Sequence, residues 1–98
     1  MSVYLVAQLT FSDRSAYARY QQRFMGVMQQ FRGKVLAADE HPDVLEGSWL
    51  RDKFVLLTFP DREAFREWSE SPQYQEILKD RKAGAHATVL LVRGLDAN

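Results

Sequence analysis

Phe54-Val55-Leu56-Leu57-Thr58-Phe59 is apolar at every position except Thr58. Side chains of a strand alternate between two faces, so an unbroken apolar run predicts a strand covered on both sides. The stretch Ala87-Thr88-Val89-Leu90-Leu91-Val92-Arg93 repeats that pattern near the C-terminus. Between them, Pro60-Asp61 opens a helix that buries Ala64, Phe65 and Trp68. Ser71-Pro72 starts a second helical segment, because proline at the first helical position gives up an N–H that has no partner there anyway. Tyr74, Ile77, Leu78 and Arg81 share one face of it, and Gly84 ends it.

Upstream, Val3 to Thr10 alternates as a strand. Val3, Leu5, Ala7 and Leu9 point one way; Tyr4, Val6, Gln8 and Thr10 point the other. Ser12-Asp13 supplies an N-cap oxygen for the helix that follows. Tyr17, Tyr20, Phe24, Val27, Met28 and Phe31 then fall on one stripe at steps of three and four, the helical spacing. Gly33 is read as its left-handed stop. Lys34 to Glu40 forms another strand, interrupted at His41-Pro42-Asp43 because proline cannot donate to a ladder. Val44 to Trp49 is expected to continue that strand after a bulge, with a hairpin turn at Arg51-Asp52.

The resulting order is β-α-β-β-α-β, the split βαβ arrangement of the α+β class, a ferredoxin-like four-stranded antiparallel sheet with its helices on one face. The 98 residues fit one domain, residues 1–98. Helices on one face leave the other bare, about 400 Å² in plan from strand spacing and rise. Apolar residues of the third and fourth strands fall there, and a monomer rarely exposes such a patch. A second copy around a two-fold axis is the expected cover, contributing on the order of 10 kcal/mol per subunit before association costs.

Composition narrows the function. Thirteen basic and thirteen acidic residues balance to zero, which argues against nucleic acid or an acidic membrane as partner. The strand order is shared with RNA-recognition modules, but Lys53 to Phe59 lacks their glycines. There is no cysteine, hence no thiolate metal site and no thiol nucleophile. No apolar run approaches the ~20 residues of a membrane span, and the N-terminus lacks the basic start of an export signal. The expected location is the cytoplasm. Phosphate-loop, dinucleotide and nucleophile-elbow motifs are missing, so no cofactor is expected.

Five residues are candidate site residues. His41 is a candidate catalytic proton acceptor, because imidazole titrates near neutrality; its place beside Pro42 also reads as ordinary solvated loop. His86 has no metal-ligand spacing to it, so no metal centre is expected. Arg81 stands on an apolar helical stripe and its guanidinium needs an anion. That anion is either Glu46, in an otherwise apolar segment, or a carboxylate on a ligand. Tyr74 reads as buried aromatic wall, as does Trp68. Trp49, near the hairpin tip, reads as pocket rim or dimer contact. Tyr17 and Tyr20 lie on the long helix stripe, and either hydroxyl is a candidate to line a cavity between helix and sheet.

Val44-Leu45-Glu46-Gly47, Phe59-Pro60, Ser71-Pro72-Gln73-Tyr74-Gln75 and the closing Arg81 through Gly94 resemble domain-of-unknown-function family 1330, of the dimeric α/β-barrel superfamily. The resemblance runs from Tyr4 to Gly94. It implies a homodimer with a pocket between sheet and helices. It also implies kinship with cofactor-free monooxygenases, haem-degrading enzymes, muconolactone-type isomerases and ligand-binding regulators. The expected function is binding, and in the enzymatic version isomerising or oxygenating, a small hydrophobic or aromatic acid. In that reading Arg81, Tyr74, Trp49 and Glu46 bind the ligand and His41 takes a proton. The alternative is a non-catalytic binding or interaction module whose features serve fold and dimerisation.

Overall fold

The computed structural model describes residues 1–95. Its elements are β1 (Val3–Phe11), α1 (Arg14–Met28), β2 (Lys34–Asp39), β3 (Lys53–Phe59), α2 (Arg62–Ser69), α3 (Pro72–Gly84) and β4 (Ala85–Arg93). The strands form one antiparallel sheet in the order β2-β3-β1-β4. This is the ferredoxin-like β-α-β-β-α-β arrangement, with its second helical layer broken into α2 and α3. The break is local chemistry. Ser71 Oγ donates to the Trp68 carbonyl at 2.8 Å and accepts from Tyr74 N–H at 3.0 Å, and Pro72 follows. Asp13 and Asp61 cap α1 and α2 by accepting first-turn N–H groups.

Register fixes which side chains meet. β1 is central, and Val3, Leu5, Ala7 and Leu9 are buried beneath the helices. Phe59, Leu57, Trp68, Tyr74, Ile77, Tyr20 and Met28 complete that core. The molecule measures 39 × 37 × 16 Å, thin along one axis because there are two layers and nothing beyond the second.

The uncovered face carries the second apolar set. Val6 stands opposite Leu56 on one side and Leu90 on the other, and Leu56 stands opposite Ala37. One apolar row therefore crosses all four strands. Tyr4, Phe54 and Val92 flank it, and Leu90 remains 51% exposed.

Four expectations are corrected. First, α1 ends at Met28 with Gln29 as C-cap, and Gly33 is not left-handed; Gly47 alone among the described residues has positive φ, at 79°. Gly33 is small for a packing reason, since a Cβ there would lie 2.8 Å from Phe59 Cδ1 and 2.9 Å from Met28 Cε. Second, Val44 to Trp49 is not strand. The bulge sits earlier, between Val35 and Ala37, and residues 40–52 form a long connection. Third, Arg51-Asp52 is not a tight turn. Asp52 instead closes the end of β1, donating its N–H to the Leu9 carbonyl at 2.7 Å and accepting Phe11 N–H on Oδ2 at 2.8 Å. Fourth, Arg81 and Glu46 form no ion pair. Glu46 is exposed in the 40–52 connection, so the strand neighbour that would have met Arg81 does not exist.

Candidate functional site

A cavity of about 410 Å³ lies between the sheet and the helices, within the usual size range for small-molecule sites. Its floor is Leu5, Ala7 and Leu9 of β1 with Lys53, Val55 and Leu57 of β3. Tyr17, Tyr20 and Phe24 of α1 form one wall; Phe65 and Trp68 of α2 with Tyr74 and Arg81 of α3 form another. Helical periodicity places Tyr17, Tyr20 and Phe24 together, as the sequence stripe predicts. Their rings run in series, Tyr17 to Tyr20 and Tyr20 to Phe24 each 5.6 Å between centroids. The Trp68 and Tyr74 rings lie 4.1 Å apart between centroids, tilted 41° to each other.

The polar groups in this apolar wall are few. Tyr20 and Tyr74 hydroxyls share a hydrogen bond of 3.1 Å. Burial pushes the Tyr17 hydroxyl up to about 12, helped by Glu40 and opposed by Arg81. Burial also raises Tyr20, with Tyr74 adding to the effect, and raises Tyr74 against the pull of the Tyr20 hydrogen bond and Arg81. All three hydroxyls thus stay protonated at neutral pH. Their folded values lie above the unfolded value of 10.0, so the stability they hold is complete below pH about 10 and declines as pH rises above it, for Tyr17 through about 12. Denaturant midpoints measured across that interval should fall, and a flat profile would contradict these environments.

Two cations line the cavity without a carboxylate partner among the described residues: Arg81 and Lys53. Lys53 is 6% exposed, and its Nζ lies 4.9 Å from the Tyr17 ring centroid. Desolvation lowers its pKa, while Glu40 acts in the opposite direction. Trp68 is 2% exposed, and its indole N–H has no hydrogen-bond acceptor among the described residues. The wall therefore holds a spare donor besides its spare positive charge.

The structure brings Arg81 and Tyr74 together here and leaves the other candidates elsewhere. His41 is exposed in the 40–52 connection; its backbone N–H donates to Asp39 Oδ1 at 2.8 Å. Glu46 is exposed beside Gly47. Trp49 lies on the opposite side of the sheet. Its Nε1 donates to Gln8 Oε1 at 3.3 Å, and Gln8 points away from the helices because Ala7 and Leu9 point towards them. Arg51 anchors the same segment by donating to the Gln8 carbonyl and, at 3.2 Å, to Thr88 Oγ1. Among the described residues, neither histidine nor any carboxylate lines the cavity. Lys53 is the lining residue that sequence reading missed. Its signal was parity: Lys53, Val55, Leu57 and Phe59 alternate onto one face.

Element order and sheet topology define a ferredoxin-like α+β fold, shared with solved structures described as dimeric or ferredoxin-like. The chain belongs to the family Domain of unknown function (DUF1330), whose model matches residues 2–95. Among solved structures, it is similar to a protein of unknown function from Rhodopseudomonas palustris, at 20% identity and TM-score 0.81, over 98% of this chain and 84% of that one. SnoaB, a cofactor-independent oxygenase from Streptomyces nogalater, matches at 13% identity and TM-score 0.69, over 98% and 95%. A dimeric ferredoxin-like protein of unknown function from Thermobifida fusca matches at 10% and 0.66, over 93% and 89%. No curated protein matches the sequence. No helix among the described residues is long and apolar enough to cross a membrane.

Proposed function

We propose that this protein binds a small hydrophobic or aromatic carboxylic acid in the cavity between helices and sheet, and does so as a homodimer. The observation that carries the ligand class is Arg81, a cation without a carboxylate partner among the described residues, in an otherwise apolar and aromatic wall that also holds the Lys53 amine. A desolvated cation needs an anion, and the rings around it select a flat apolar body. Tyr74 forms part of the wall, and the unsatisfied Trp68 N–H offers a donor to a ligand oxygen. His41, Glu46 and Trp49 have no place in this site within one subunit.

The homodimer follows from the open face. The row Ala37-Leu56-Val6-Leu90 is too apolar to leave in water. Leu45 and Leu50, 91% and 89% exposed, lie in the connection that Trp49 and Arg51 pin to the same face. A second copy of this chain offers the matching surface around a two-fold axis. The Thermobifida fusca neighbour, described as dimeric, supports that reading.

Isomerisation or cofactor-free oxygenation is supported by kinship of fold with proteins such as SnoaB. Binding without turnover is the second reading, favoured by the lack of histidine and carboxylate in the cavity wall. Calorimetric titration with benzoate and naphthoate tests the ligand class. Arg81→Ala should weaken carboxylate binding by about tenfold or more, the loss of one charge-assisted hydrogen bond, and leave the melting transition cooperative. Equal affinity in parent and variant would refute the role of Arg81. Unfolding of the variant would make Arg81 structural.

A further inference from the structure

We propose that Lys53 is a nucleophilic amine that forms an imine with an aromatic aldehyde or ketone held in the helix-side cavity. The inference rests on the cavity reading above and adds a reactive centre to it.

Lys53 stands opposite Leu9, on the face of β3 that continues through Val55, Leu57 and Phe59 towards the core. An ammonium in that row is costly to bury unless it is paired. Among the described residues no carboxylate comes within ion-pair distance of it. The groups facing it are few. Tyr17 of α1 presents its ring at 4.9 Å. Glu40, just past β2, acts on Lys53 through space but lies 3.8 Å from Arg14. Arg81 of α3 lines the same cavity and adds a second positive charge. Burial in this apolar row favours a neutral amine, the nucleophilic form of lysine, against the opposing pull of Glu40. The other lysines, Lys34, Lys79 and Lys82, are all exposed.

The step balances without an oxidant or reductant. The Nζ lone pair attacks the carbonyl carbon, and the π electrons of C=O move to oxygen. The two amine protons pass to that oxygen, which leaves as water as C=N closes. Arg81 receives the carboxylate of a ligand that carries both groups, so binding precedes addition.

The test uses the full chain with 4-carboxybenzaldehyde, and cyanoborohydride to reduce any imine to a stable secondary amine. Peptide mass spectrometry reads the label at every amine. At neutral pH we expect Lys53 to be labelled several-fold more than Lys34, Lys79 or Lys82, and unreactive 4-methylbenzoate to suppress that excess. Lys53→Met should lose the label and melt no lower than the parent, because a buried amine without an ion-pair partner leaves the core. Labelling spread over the exposed lysines, or none at Lys53, overturns the proposal. Calorimetry with 4-methylbenzoate separates the two readings. Binding without a Lys53 label sinks the imine alone, whereas neither binding nor label sinks the cavity reading as well.

Discussion

Gly84→Ala is expected to cost about 3 kcal/mol or more of unfolding free energy and to lower the melting temperature by roughly 12–24 °C. Gly84 closes α3 where it abuts the start of α1. Its carbonyl accepts N–H bonds from Ser12 at 2.9 Å and Asp13 at 3.1 Å. A Cβ at this position would lie 2.5 Å from Tyr17 N, 2.9 Å from Tyr17 Cα and 2.9 Å from the Asp13 carbonyl oxygen. All three are backbone atoms, so no rotamer change relieves the contact. To admit the methyl group α1 must shift, and with it the two hydrogen bonds and the Tyr17 wall of the cavity. Thermal denaturation of the variant, followed by circular dichroism, checks the loss. A melting temperature within a few degrees of the parent would show that the helices are not in such close contact. Gly26 is the control: no atom lies within 4 Å of a Cβ built there, and Gly26→Ala in the exposed face of α1 should be neutral or mildly stabilising.

Leu56→Lys is the second large effect. Leu56 lies between Val6 and Ala37 in the apolar row of the open face. In an isolated subunit the new ammonium reaches water and folding is little disturbed. In a two-fold dimer the change occurs twice, and each charge is buried without a partner at several kcal/mol per ion. Together these weaken association by more than about 10³-fold. Sedimentation of the variant should report one chain while its far-ultraviolet spectrum stays that of the parent. Parent-like association with Lys at position 56 would mean that the dimer, if any, uses another surface.

Strands and helices were legible because their periods are strong. Val3 to Leu9 alternates cleanly, and the α1 stripe from Tyr17 to Met28 keeps helical spacing. Arg81 stood out because a guanidinium on the stripe of Tyr74, Ile77 and Leu78 has no ordinary explanation. The failures have a common source in residues 40–52. Val44 and Leu45 look like strand, yet Pro42, Asp43 and Gly47 deny the segment a ladder partner, and it crosses the sheet edge as a long connection. With it moved the expected Glu46 partner of Arg81, and with it moved Trp49, whose anchor Gln8 lies on the far face. Gly33 misled for a different reason. Glycine after a helix signals a left-handed stop, whereas here the lack of a side chain makes room for Phe59 and Met28. Lys53 was hidden by its position at the edge of an apolar run, where a lysine usually marks the solvated start of a strand.

The fold, the cavity and the proposed dimer depend on one property, a sheet with apolar residues on both faces and helices for only one. Light scattering behind size-exclusion chromatography, at low micromolar concentration, tests it most directly. A mass twice the 11.4 kDa of one chain is the predicted result. A particle of one chain's mass, remaining soluble with Val6, Leu56 and Leu90 in water, would contradict it.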